Sequence, residues 1–290
     1  MGVLTHLTLP SPAKINLFLH ITGRRSNGYH NLQTLFQFVD LSDKLTFELL
    51  PDSNRISVTC PGLDLAEKDN LAYRAAVMLQ RESDCPHGVM LNIEKIIPEG
   101  GGLGGGSSNA ATTLHGLNLL WGCGLSIKKL AELGLRLGAD VPVFVAGETA
   151  WADGIGEKLT PVNLPPQTYL ILNPGCHVST QKIFSHPDLT RDSTPRTIAR
   201  FLEQGPPYTR GKNDCASVVC SLYPEVSEAL GWLSRWGTAK MSGTGCCIFL
   251  PIPTVENGQE ILSQIPARWS GFVTAGTQRS ALMSRLDQQR

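Results

Sequence analysis

Residues 98–110 read PEGGGLGGGSSNA, and every position from 100 to 106 is glycine except Leu103. So many glycines are either never ordered or held in place because something must approach the backbone closely. The flanks favour the second reading. Residues 89–97 are apolar and rich in β-branched side chains, and the stretch ends at Pro98, which fits a strand. Ser107 and Ser108 are good helix caps, and Ala110, Ala111, Leu114, Leu117, Leu120 and Trp121 follow at helical spacing. The first amides of a helix have no partner within the helix, and its N-terminal end is partly positive. A side-chain-free loop ahead of it is therefore a place for a phosphate.

Known phosphate loops exclude themselves. A P-loop needs Gly-Lys-Ser or Gly-Lys-Thr, and the chain's one Gly-Lys is followed by Asn213. Gly100, Gly102 and Gly105 satisfy the dinucleotide pattern GxGxxG. However, Pro98 separates strand from loop, and Trp121-Gly122-Cys123-Gly124-Leu125, about 20 residues on, offers no acid for a ribose. Neither HRD nor DFG is present, so protein-kinase chemistry is excluded as well.

These groups need a scaffold. Ala13, Ile15, Leu17, Leu19 and Ile21 alternate, so residues 13–21 read as a half-buried strand, with Lys14, Asn16, Phe18 and His20 sharing its other face. The turn Gly23-Arg24-Arg25-Ser26-Asn27-Gly28-Tyr29-His30 leads into strands over 35–39 and 45–49, and the whole start reads as a β-meander. Asp69-Asn70 can cap a helix through Leu79. Ser126 can cap another that stops at Gly138, and 139–144 form a turn and a short apolar helix. Residues 150–162 read as a hairpin turning near Asp153-Gly154. The prolines at 161, 165 and 166 divide the chain into domains 1–162 and 163–290. The second has strands at 169–172, 239–241, 246–251 and 272–275, and helices near 193–203, 212–221, 225–235 and 255–264. Strands clustered in meanders point to an α+β fold.

Bulk composition narrows the partners. The 290 residues are 41% apolar and 17% charged, with 25 basic against 25 acidic side chains. A zero balance without a basic block argues against nucleic acid or an anionic membrane and leaves small anionic ligands open. There is neither a signal-peptide pattern nor a long apolar span, so a cytoplasmic protein is expected. The eight cysteines lack CxxC or Cys/His ligand spacing, which reads as reduced thiols without a zinc site. Oligomeric state is not legible.

Three segments, taken in order, carry a resemblance. Pro12-Ala13-Lys14-Ile15-Asn16-Leu17, Gly100-Gly101-Gly102-Leu103-Gly104-Gly105-Gly106-Ser107-Ser108 and Ser242-Gly243-Thr244-Gly245 resemble the motifs of the GHMP small-molecule kinases. Within that superfamily the turn at 23–30, Gly138-Ala139-Asp140-Val141-Pro142 and Gly243-Thr244-Gly245-Cys246-Cys247 resemble the kinases of 4-diphosphocytidyl-2-C-methyl-D-erythritol in the non-mevalonate isoprenoid route. The likeness runs from about residue 10 to about residue 275, so it covers almost the whole chain.

It implies a two-domain α+β GHMP-kinase-like fold with mixed and antiparallel sheets, packed helices and the active site between the domains. The implied reaction is ATP-dependent phosphorylation of the substrate's 2-hydroxyl by direct in-line transfer. Asp140 is then the base and Lys14 the stabiliser of developing charge. Alone, these two would read equally as a helix cap and a solvated strand lysine. ATP would lie along Pro98, Gly101, Gly102, Leu103, Gly104, Gly105, Gly106, Ser107 and Ser108, with Asn70 and Lys95 near the adenine. A helix cap and an exposed strand lysine explain that last pair too. Tyr29, His30 and Phe184 match positions that hold cytosine, and Asn16 and Thr180 contact polar groups of the substrate. The superfamily often holds Mg²⁺ with a carboxylate on the helix after the loop. Here Asn109-Ala110-Ala111-Thr112-Thr113 has none, so no residue is assigned as a metal ligand, and the Ser108 hydroxyl or water serves instead.

Overall fold

The computed structural model describes residues 4–203, 205 and 210–289. Among them the first half runs β1 (His6–Arg24), β2 (His30–Leu50), β3 (Ile56–Thr59), α1 (Leu71–Glu82), β4 (Gly88–Glu94), α2 (Gly105–Leu120), α3 (Ile127–Leu137), α4 (Val141–Ala146), β5 (Ala150–Asp153) and β6 (Lys158–Pro161). The second half runs β7 (Thr168–Asn173), α5 (Thr180–Ser185), α6 (Ile198–Glu203), α7 (Ala216–Leu222), α8 (Pro224–Leu233), β8 (Lys240–Met241), β9 (Ile248–Ile252), α9 (Val255–Leu262), β10 (Ser270–Thr277) and α10 (Ala281–Asp287).

The strands form one mixed sheet, with β3 parallel to β4 and the other named pairs antiparallel. β2 is its hub and bonds to β1, β4, β5 and β10 along its length. The separate strands expected at 35–39 and 45–49 are therefore one strand. A register shift hides the continuity: Ala13 pairs with Val39 but Pro12 with Ser42, so Asp40 and Leu41 are extra. The core residues facing the helices are Phe36 and Phe38 before this break and Leu45, Phe47 and Leu49 after it, so the alternation changes phase.

β1 is also not half-buried. Lys14, Asn16, Phe18 and His20 are only 2%, 4%, 1% and 4% exposed. Both faces are covered: the glycine loop lies over Lys14, whose Nζ donates to the Gly102 carbonyl, and the second half reaches the strand where Asn16 N donates to Ser242 Oγ and Lys240 Nζ to the Leu17 carbonyl.

One apolar cluster packs α1 to α4 against β2 and β4, and a second fills the other half. A third joins them, packing Ala13, Ile15 and Leu17 of β1 against Tyr169, Ile171 and Phe249 of β7 and β9. At about 1.5–3 kcal/mol for each fully buried large apolar side chain, this seam holds the two halves as one body. Helix α10 returns to the first half, with Leu282 in its core.

Local signals were obeyed where their partners are close in sequence. Asn70 Oδ1 accepts from Ala72 N to cap α1, and Ser126 caps α3 through Lys129 N. Gly154 and Gly156, at φ 77° and 110°, turn the expected hairpin. Helices α6 and α7 begin later than expected, at Ile198 and Ala216, while α5 and α10 were not anticipated. No described helix is long and apolar enough to cross a membrane.

Candidate functional site

The glycine run leaves β4 at Glu94 and enters α2 earlier than its serines suggest. Gly104, at φ 78°, is the N-cap, so Ser107 and Ser108 lie in the first turn rather than capping it. Because Ser108 N bonds back to the Gly104 carbonyl, the helix starts at Gly105. The amides of Gly105, Gly106 and Ser107 are left without acceptors within the helix. All three residues line a cavity of about 860 Å³.

The loop is pinned from both sides. Cys246 N and Cys247 N donate to the Gly100 and Gly101 carbonyls, each at 3.0 Å, and Ser242 Oγ donates to the Gly102 carbonyl at 2.8 Å. The 242–245 turn is braced in turn by Asn213 Nδ2, which donates to the carbonyls of Met241 and Gly243. Beneath the loop, Asp43 is 1% exposed. It accepts from Ile96 N at 2.7 Å, Ile97 N at 2.8 Å, Asn109 Nδ2 at 2.9 Å and Lys95 Nζ at 2.5 Å. One carboxylate thus ties the loop's entry to α2.

Lys14 Nζ donates to Asn16 Oδ1 at 2.6 Å and to the Gly102 carbonyl at 2.9 Å, and stands 3.4 Å from Asp140 Oδ2. Burial, the largest effect, lowers the lysine's pKa, opposed by the charge and hydrogen bond of Asp140. Asp140 occupies the N-cap position of α4, yet its side chain caps nothing and turns to Lys14 instead.

Across the cavity, His30 and Phe184 lie with ring centroids 5.2 Å apart at 31°. Tyr29 is 57% exposed beside them. Thr180 Oγ1 is 2.9 Å from Thr244 Oγ1, which links the start of α5 to the 242–245 turn. Burial, then the charges of Arg191 and Arg24, lower the pKa of His30.

Every residue singled out from the sequence lines this one cavity except Leu103 and Ser108. Leu103 is fully buried, and its carbonyl accepts from Lys14 N. The Ser108 hydroxyl is buried and accepts from Ser11 Oγ, so it does not face the cavity; Ser107 does. Asn70 lines the cavity while capping α1, and Lys95 does so while paired with Asp43.

Sequence reading missed Asp43, Arg191 and the Thr180–Thr244 contact. Asp43 had one faint signal, an acid between two apolar alternations. Arg191 had none.

Residues 70–148 match the model of the GHMP kinases N terminal domain, and residues 208–271 that of the GHMP kinases C terminal. A protein of Alkalilimnicola ehrlichii named 4-diphosphocytidyl-2-C-methyl-D-erythritol kinase is 52% identical over 96% of this chain and 93% of its own. The chain belongs to the 4-diphosphocytidyl-2-C-methyl-D-erythritol kinase family of GHMP kinases.

A second relative of that name in the family, from Marinobacter nauticus, is 51% identical over 98% of this chain and 99% of its own. A crystal structure of 4-(cytidine 5'-diphospho)-2C-methyl-D-erythritol kinase superposes with a TM-score of 0.78 at 33% identity, covering 93% of this chain and all of that one. Homoserine kinase from Cytophaga hutchinsonii, at 16% identity and a TM-score of 0.67, shares the GHMP kinase fold. The α+β architecture read from the sequence is that fold.

Proposed function

We propose that this chain phosphorylates the 2-hydroxyl of 4-diphosphocytidyl-2-C-methyl-D-erythritol with ATP as the phosphate donor, as a cytoplasmic enzyme of isoprenoid precursor synthesis. One observation carries the reading: a Lys14–Asp140 pair, a helix-start amide cradle and the His30–Phe184 ring pair line a single cavity. The names of the relatives support the same substrate.

The free amides of Gly105, Gly106 and Ser107 hold the phosphate chain at the positive end of α2. Asp140 accepts the proton of the attacking hydroxyl. The Lys14 ammonium, fixed by Asn16 and the Gly102 carbonyl, stabilises charge on that oxygen and on the transferring phosphoryl group. Transfer is direct and in line, without a phosphoenzyme. Phosphoryl transfer depends mainly on positioning and charge stabilisation, and proton removal by a base adds roughly 10²–10⁴-fold. A Mg²⁺ ion would neutralise charge across the phosphate oxygens. Among the oxygen-bearing side chains that line the cavity, the Ser107 hydroxyl at the amide cradle and the Asp140 carboxylate beside Lys14 would suit such a hard cation, with water completing its shell. Residues 1–162 cradle ATP and residues 163–290 form the substrate-binding domain, to whose side the first domain adds Asn16, Tyr29 and His30, with α10 returning to brace the first.

The test is ATP consumption with Mg²⁺ against 4-diphosphocytidyl-2-C-methyl-D-erythritol, mevalonate, homoserine and galactose, the new phosphate being located by phosphorus NMR. Transfer to the 2-hydroxyl of the cytidylylated substrate alone is expected. Turnover of another alcohol instead would discard the cytosine pocket while keeping the transfer chemistry.

A further inference from the structure

Arg191 spends all its donors inside the protein. A guanidinium has five N–H groups and no acceptor. Here Nη1 donates to the carbonyls of Pro187 at 3.2 Å and Leu189 at 3.0 Å, and Nη2 to those of Phe184 at 3.1 Å and His186 at 2.7 Å. The fifth, Nε–H, donates to His30 Nε2 at 3.1 Å. One side chain therefore holds the segment that carries Phe184 and also donates to the imidazole opposite it.

That last bond has a chemical consequence. A donor-only group facing Nε2 requires a lone pair there, so the neutral ring carries its proton on Nδ1. Among the described residues nothing hydrogen-bonds Nδ1, and His30 lines the cavity beside Phe184. The ring therefore offers an N–H donor to whatever base lies there. Both pyrimidines keep an acceptor at O2, but N3 bears a lone pair in cytosine and a proton in uracil, so an Nδ1–H aimed at N3 meets an acceptor in the first and a donor in the second. An unmatched polar edge in such a pocket is what separates close analogues. We propose that Arg191 locks His30 as its Nδ1–H tautomer and so makes the pocket select cytosine over uracil. The inference rests on the function proposed above and assigns Arg191 a positioning role, acting through His30.

Two measurements test it. Long-range ¹H–¹⁵N spectra of histidine-labelled wild-type protein report the tautomer of His30 without any substitution, and Nδ1–H is expected. Equilibrium binding of CMP and UMP to wild type, Arg191→Met, His30→Phe and the double variant reports selectivity. The CMP preference is expected to fall by about tenfold or more in Arg191→Met, with no further fall when His30→Phe is added. A His30 proton on Nε2, no preference for CMP in wild type, or affinities for CMP and UMP that weaken equally in Arg191→Met would each overturn the proposal. The equal weakening is what a purely structural arginine would give. If the wild type fails to phosphorylate the cytidylylated substrate, the proposed function fails, while the tautomer and the CMP preference still decide the role of Arg191.

Discussion

Lys14 Nζ stands 3.4 Å from Asp140 Oδ2, and the two side chains differ sharply in exposure, 3% for the lysine and 38% for the aspartate. The lysine is clamped by Asn16 and the Gly102 carbonyl, while the carboxylate keeps an open side toward the cavity. Such an arrangement suits a fixed charge beside a base that must meet a substrate hydroxyl.

Asp140→Asn is expected to lower kcat by roughly 10²–10⁴-fold with little change in the KM for ATP, because the amide keeps the shape but takes no proton. Lys14→Met should cost at least as much, since positioning and charge stabilisation dominate phosphoryl transfer. Steady-state ATP consumption checks both, and an undiminished rate for Asp140→Asn would remove it as the base.

The pH profile follows from the direction of the Lys14 shift. Burial makes the ammonium release its proton more easily than a free lysine, so activity that needs the charged form is lost earlier on the alkaline side than it would be with a free lysine. It declines as pH rises through the lowered pKa, and the alkaline limb of kcat/KM falls below the ordinary lysine value. Asn16→Leu removes an acceptor from the ammonium and should move that limb further toward neutrality. An alkaline limb at the ordinary lysine value in wild type would contradict this.

Asp43 is the hidden anchor of the nucleotide side. Asp43→Ala leaves the half-buried Lys95 ammonium and two loop amides without their acceptor, and should destabilise the fold by about 1–3 kcal/mol in urea unfolding. Asp43→Asn still accepts from the amides but presents a donor where Lys95 and Asn109 donate. It is expected to raise the KM for ATP with a smaller effect on kcat.

Gly102→Ala places a methyl group 2.0 Å from the Ser242 carbonyl at a φ of 71°. The loop and the 242–245 turn would have to separate, so ATP affinity should fall along with stability. Gly122 has a similar φ of 65° but nothing within 4 Å, and Gly122→Ala should cost only about 1–2 kcal/mol of backbone strain and leave activity intact. Isothermal titration with ATP and thermal melts of the two variants distinguish close packing from backbone strain.

Much of this was legible along the chain, because the signals are local. The Asn70 and Ser126 caps, the hairpin at Gly154 and the glycine run feeding α2 each depend on residues a few positions apart, and residue types at those spacings determine them. The order of the three glycine- and lysine-bearing segments was enough to point to the family.

What tertiary structure decided was which groups meet and how deeply they lie. Periodicity predicted a half-exposed β1 because it cannot register a second layer; the glycine loop, 88 residues away at Gly102, covers Lys14, and the 242–245 turn, 226 residues away at Ser242, bonds Asn16. The extra residues Asp40 and Leu41 shift the phase of β2, so its continuity was lost to any count of alternation. Asp43 and Arg191 bind loops through backbone amides and carbonyls, which every residue has, so their partners leave no mark in the sequence. The sequence determined the chemistry available, and only the folded chain could decide that Asp140 reaches Lys14 instead of capping its helix.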